Sequence, residues 1–154
     1  AQLKWGFALV AVLAVFNSGG RVLGGFLSDR FGRNTTLILM FALQAVNMLM
    51  FSNYTSMTSL TVGVCITGIA YGSLLGIFPA LTYDFFGLKN SGVNYGLVFT
   101  AFGAAGLIGP LTAGKIVDIT GSYDYAYLAA AAILVIAAIM VKFLKQPQQE
   151  AVIS

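Results

Sequence analysis

Five long apolar runs, separated by short turns rich in polar residues or glycine, account for nearly the whole chain. They predict helices over about residues 5–27, 35–51, 57–81, 91–116 and 125–144, followed by a polar tail over 145–154. Each run is close to the roughly 17 to 25 residues that an α-helix needs to cross the hydrocarbon of a bilayer. The expected fold class is therefore all-α, with five transmembrane helices. Trp5 is placed to anchor the start of the first span at the interface. The turn Ser52–Ser56 is uncharged, Tyr83–Asn90 carries Asp84 and Lys89, and Asp118–Asp124 forms a second charged turn after the one that ends at Asn34. Pro79 marks the expected end of the third span.

Composition supports the membrane reading. Of 154 residues 58% are hydrophobic and only 8% charged, with a mean hydropathy of +0.89, whereas a soluble surface needs roughly a quarter of its residues charged. The net charge of +3 comes from cations clustered at segment ends. They read as topology signals rather than a nucleic-acid footprint. A single Cys65 and the lack of histidine leave no material for disulfides, a zinc centre or histidine-based catalysis. No catalytic site, metal or cofactor is expected, and an enzyme is the least favoured class. The chain begins at Ala1 without the charged region and cleavage site of a signal peptide, as a piece of a longer protein would.

With five spans, Arg30, Arg33, Lys89, Lys142 and Lys145 fall on one side of the membrane against Lys4 and Lys115 on the other. The first turn and the C-terminus are therefore expected in the cytoplasm. The second and fifth spans carry few polar groups and read as lipid-facing, whereas the first, third and fourth should line an interior. On the third, Gly68, Gly72 and Gly76 recur every four residues and clear one face for close approach of a neighbour.

One residue stands out against this apolar background. Arg21 precedes Asp29 by eight residues, which at helical rise places it roughly 12 Å inside the turn. A cation there costs at least about 2.5 to 3.5 kcal/mol on insertion scales and belongs in a polar cavity or beside a partner. Asn17 lies one turn away on the same face. At the same expected depth, Tyr71 and Leu75 on the third span and Phe99 and Phe102 on the fourth are candidate walls of a pocket. Tyr95 and Phe78 lie nearer the cytoplasmic end and fit a gate better.

The turn itself, Gly25-Phe26-Leu27-Ser28-Asp29-Arg30-Phe31-Gly32-Arg33-Asn34, resembles the signature loop of the major facilitator superfamily. The resemblance implies a conformational gating role for Gly25, Asp29, Arg30, Gly32 and Arg33, with the aspartate holding helix ends together in the outward-facing state. Downstream, Tyr71-Gly72, Phe78-Pro79-Ala80-Leu81-Thr82, Phe86-Gly87-Leu88-Lys89-Asn90-Ser91-Gly92, Asn94-Tyr95-Gly96, Phe99-Thr100-Ala101-Phe102-Gly103 and Gly106-Leu107-Ile108-Gly109-Pro110 together resemble the oxalate/formate antiporter and monocarboxylate transporter branch.

That resemblance implies helices eight to twelve of a twelve-helix carrier, most of its C-terminal six-helix bundle, which would work only with the N-terminal half. It also implies secondary active transport of small organic anions, monocarboxylates such as lactate or formate, by alternating access in a lipid bilayer such as a bacterial inner (plasma) membrane. Arg21 matches the arginine that anchors the substrate carboxylate; Asn17 one turn away and the walls Tyr71, Leu75, Phe99 and Phe102 join it in the candidate substrate site by their expected depth. Two positions depart from the pattern: Asn17 stands where animal-type monocarboxylate carriers have an aspartate, and Phe102 where oxalate exchangers offer a lysine. Lys115, thirteen residues beyond Phe102, is roughly 20 Å further along the helix and does not replace it.

Two other readings stay open on the sequence. Gly109-Pro110 suits helix five of a drug/proton antiporter, which would make this chain part of an N-terminal half, although Ala105 and Ala113 occupy positions where that motif wants glycine. A non-transporting membrane assembly subunit would use Arg21 to pair helices.

Overall fold

The computed structural model describes residues 2–145, with side chains from Gly6 onward. The side chains of Lys4 and Trp5 and the tail beyond Lys145 lie outside the described residues. Five helices follow one another: α1 Gln2–Phe31, α2 Arg33–Phe51, α3 Met57–Phe86, α4 Ser91–Thr120 and α5 Asp124–Phe143. All five are long and apolar enough to cross a membrane. α1, α3 and α4 have 30 residues each, about 45 Å of helix against a hydrocarbon core of about 30 Å, so their ends project beyond it.

These overruns correct two expectations. Pro79 does not end the third helix; α3 continues through it to Phe86. A proline frees one carbonyl a turn earlier and crowds the backbone, and membrane helices accept this where neighbouring groups compensate. Similarly, α4 absorbs Asp118 and runs to Thr120, so the second charged turn shrinks to Gly121, Ser122 and Tyr123.

The connections are tight for local reasons. Gly32 alone separates α1 from α2, at φ 90°, a conformation that a side chain would strain. Ser56 caps α3, accepting from the Ser59 backbone N–H while the Ser59 hydroxyl accepts from the Ser56 N–H.

Two packing modes hold the bundle. α1 and α3 run parallel with their backbones in contact. A Cβ built on Gly72 would overlap the Asn17 carbonyl oxygen, one on Gly76 would lie 2.7 Å from that of Arg21, and one on Gly20 2.5 Å from that of Ile69. The Ser73 hydroxyl donates to the Gly20 carbonyl across this seam at 3.0 Å. Without a hydrophobic force between helices in lipid, such close van der Waals approach is what binds them.

α2 packs against α3 and α5 through side chains. Leu37, Ile77, Leu81 and Val141 form the core there, with Ile38, Phe41, Leu74, Phe78 and Phe85 around it. Nearer the Tyr54 end, the Asn47 amide donates to the Gly63 carbonyl and the Thr67 hydroxyl, each at 3.0 Å, and its oxygen accepts from the Tyr54 hydroxyl at 3.1 Å. Gln44 also donates to Thr67. The second helix is thus not simply lipid-facing: it buries Thr36, Leu37, Met40, Ala45 and Asn47, with Leu37 in the apolar core and the amides of Gln44 and Asn47 partnered on α3. By contrast α4 buries no residue and, among the described residues, meets the other helices only along α3 and α5.

Candidate functional site

The seam fixes where Arg21 sits. Its carbonyl faces Gly76 and that of Asn17 faces Gly72, so the register of α1 against α3 is set by two residues of the candidate site themselves. At about 100° of rotation per residue, Phe16 and Leu23 fall on one flank of the seam and Arg21 on the other. The first flank is occupied by a shallow apolar groove that Phe16 and Leu23 share with Val15, Gly19 and Ile69. The second is where α3 turns Leu75 and Tyr71 toward α4. The Arg21 side chain is exposed, and among the described residues it has neither an ion-pair nor a hydrogen-bond partner. Asn17 is half-buried, and its amide is likewise unpartnered among them.

Between α3 and α4 the structure opens a cleft of about 210 Å³ lined by Tyr71, Leu74, Leu75, Phe78, Tyr95, Val98, Phe99, Ala101 and Phe102. It brings together four of the six residues proposed from sequence, Tyr71, Leu75, Phe99 and Phe102. Arg21 and Asn17 are not among its walls; they stand on α1 beside it. Phe78 and Tyr95 line the same cleft rather than a separate gate. Their positions show why: 71, 75 and 78 on α3 and 95, 99 and 102 on α4 each share one helical face, and the two helices are antiparallel. The rings form a ladder. Tyr71 stacks on Phe102 with centroids 5.9 Å apart, Phe102 on Phe99 at 4.9 Å, and Phe99 tilts against Tyr95 at 5.6 Å.

At the Gly32 end a charged cluster joins three helices. Arg33, at the start of α2, donates from Nε to Asp84 at 3.0 Å and from Nη1 to Asp29 at 2.5 Å and to the Ser28 hydroxyl at 2.8 Å. All three charges stand at helix ends of unfavourable dipole, the carboxylates near the C-termini of α1 and α3 and the guanidinium at an N-terminus. They offset one another rather than the dipoles. Of the gating residues named from sequence, Asp29 and Arg33 meet here; Arg30 is exposed and lies over the Phe31 ring, Gly32 makes the turn, and Gly25 faces open space. Asp84 was missed, since a pairing across 51 residues of sequence depends on how α2 and α3 cross. Lys115 is exposed near the Gly121 end of α4, away from the cleft.

No group of three or more histidine, cysteine, aspartate or glutamate side chains is placed to hold a metal ion among the described residues. What the arrangement offers is a permanent cation with no counter-charge among the described residues, beside a largely apolar aromatic cleft, with an ion-paired cluster at the Gly32 end of the bundle. A guanidinium there can take a carboxylate through two parallel hydrogen bonds without exchanging a proton.

Comparison with known proteins agrees with the membrane fold. The chain is 31% identical over 96 residues to the uncharacterized MFS-type transporter YhjX of Escherichia coli (strain K12), covering 61% of this chain and 24% of that protein. It is 29% identical over 102 residues to the oxalate:formate antiporter of Oxalobacter formigenes, covering 65% and 24%. It is 26% identical over 132 residues to human monocarboxylate transporter 14, covering 79% and 24%. The chain thus spans about a quarter of the length of these curated relatives. The family model of the Major Facilitator Superfamily matches residues 1–154, and the chain, an integral membrane bundle, belongs to that family of transporters.

Proposed function

We propose that this chain is part of a secondary active carrier for small organic anions, with Arg21 as the group that binds the substrate carboxylate. The five helices correspond, in this reading, to helices eight through twelve, the larger part of a C-terminal half. They sit in a bacterial inner membrane, with the Gly32 end and the C-terminus in the cytoplasm, the side that the excess of cations favours. Substrate binds near mid-membrane between this half and its pseudo-symmetric partner. Arg21 and Asn17 contact the carboxylate, and Tyr71, Leu75, Phe99 and Phe102 contact the remainder. The cluster of Asp29, Arg33 and Asp84 closes when the carrier faces outward and opens when it faces inward.

The observation that carries this reading is the uncompensated guanidinium of Arg21. Its backbone is locked against Gly76, its side chain has no partner among the described residues, and it stands beside a cleft rather than at a helix end. The relatives named for oxalate/formate exchange and monocarboxylate transport support an anion as the ligand. Monocarboxylates are favoured over oxalate because Phe102 adds no second cation.

The test is uptake of radiolabelled lactate or formate by the full-length carrier in proteoliposomes. Arg21→Ala is expected to lower uptake by more than tenfold, the factor that corresponds to about 1.4 kcal/mol. Arg21→Lys is expected to recover little of it, since an ammonium restores charge without the planar two-donor fork. Full uptake with lysine would remove the bidentate role, and full uptake with alanine would remove Arg21 from the site.

A further inference from the structure

The walls of the α3/α4 cleft carry information that the carboxylate anchor does not. Four aromatic rings follow one another, Tyr71, Phe102 and Phe99 stacked and Tyr95 tilted against Phe99, and among the described residues the only polar side-chain groups on the lining are the two tyrosine hydroxyls. Formate has no apolar part and lactate only one methyl group, so neither would gain from such a surface. A cavity of about 150 Å³ lined by apolar side chains is large enough to take benzene, and this cleft is larger, at about 210 Å³. Its polarity runs one way, from the Arg21 flank of the α1/α3 seam into an aromatic interior. That is the shape of an amphipathic anion.

We propose that the substrate is a monocarboxylate with an apolar tail of several carbons or an aryl ring, its carboxylate on Arg21 and its tail in the cleft between α3 and α4. The proposal rests on Arg21 as the carboxylate anchor and adds what the tail must be. Affinity then rises with the apolar area that enters the cleft, and a flat tail gains further by stacking against Phe102 and Phe99. A second carboxylate on the tail is rejected, because it would enter a cleft with no cation among the described residues that line it.

Ligand-induced thermal stabilisation of the purified full-length carrier tests this without assuming which compound is transported. The probes are acetate, propionate, butyrate, hexanoate and phenylacetate, with hexanamide as the uncharged control for detergent-like effects. Apparent affinity is expected to rise about fourfold per added methylene, the ratio equivalent to about 0.8 kcal/mol. Phenylacetate should exceed acetate by a larger factor than propionate does, and hexanamide should not stabilise. Phe102→Ala should flatten the series, and Phe99→Leu, which keeps an apolar wall without the ring, should lower the phenylacetate response more than that of hexanoate. A series that stays flat from acetate to hexanoate overturns the tail assignment and leaves the Arg21 anchor standing. A series in which no carboxylate stabilises, or in which hexanamide matches hexanoate, overturns both.

Discussion

α3 meets two of its neighbours, α1 and α4, in opposite ways. Toward α1 it presents Gly68, Gly72 and Gly76, and the two backbones touch; toward α4 it presents Tyr71, Leu75 and Phe78, and the helices stand far enough apart to leave a cleft. Both faces belong to the same turns of one helix, about 100° apart. Small residues remove the distance between helices and fix the position of Arg21, whereas large rings create the distance in which a ligand can lie. The proposed site uses both: a close-packed seam that holds a charge in place, and a neighbouring interface kept open by side chains that pack on each other.

The largest effect should come from filling the seam. Gly72→Leu would drive a side chain into the Asn17 carbonyl, where no flexible group can yield, and should cost more than about 3 kcal/mol, beyond the usual range for overpacking. In the full-length carrier this would appear as loss of the monodisperse peak or a large fall in Tm. An unaltered Tm would show that α1 and α3 are not backbone-packed.

Next in size is the charged cluster. Arg33→Ala leaves Asp84 and Asp29 near the C-termini of two helices, with a loss of about 1.5 to 3 kcal/mol for its charged hydrogen bonds, reduced by solvent at this exposed end. Exchange at saturating substrate should slow several-fold while membrane insertion is retained. Asp29→Asn should slow it less, because the Asp29 side chain is 69% exposed against 33% for Asp84. Unchanged exchange in both variants would reduce the cluster to a topology signal.

The smallest effect belongs on α4. Gly92, in the first turn of α4, has nothing within 4 Å of where a Cβ would stand, so Gly92→Ala should be neutral or stabilising by up to about 1 kcal/mol through helix propensity. The same class of change that ruptures the α1/α3 seam should pass unnoticed here, and a marked fall in Tm would mean that the first turn of α4 is tightly packed.

Much of this contrast was legible in the sequence. The four-residue glycine spacing identified the close face of α3. Tyr71, Leu75, Phe99 and Phe102 were grouped by depth alone, and the cleft does unite them. The failures have physical causes. Pro79 read as a stop because helix-breaking rules come from water, where no neighbouring helix compensates. α2 read as lipid-facing because two amides looked minor in a long apolar run. The spacing of Gln44 and Asn47 on one helical face was itself the sign of a polar partner. Asp84 stayed in its loop because nothing local relates it to Arg33.

The most direct test of the central account, one cation beside an apolar cleft, is competition between a monocarboxylate and oxalate for uptake by the unmutated full-length carrier. Oxalate is expected to compete at least about tenfold less well, as the cost of leaving its second carboxylate unpaired in a dry cavity exceeds the roughly 1.4 kcal/mol that this factor represents. Phe102→Lys should narrow the gap by supplying the second charge. Oxalate competing as well as a monocarboxylate would contradict the account and place a second cation at the site.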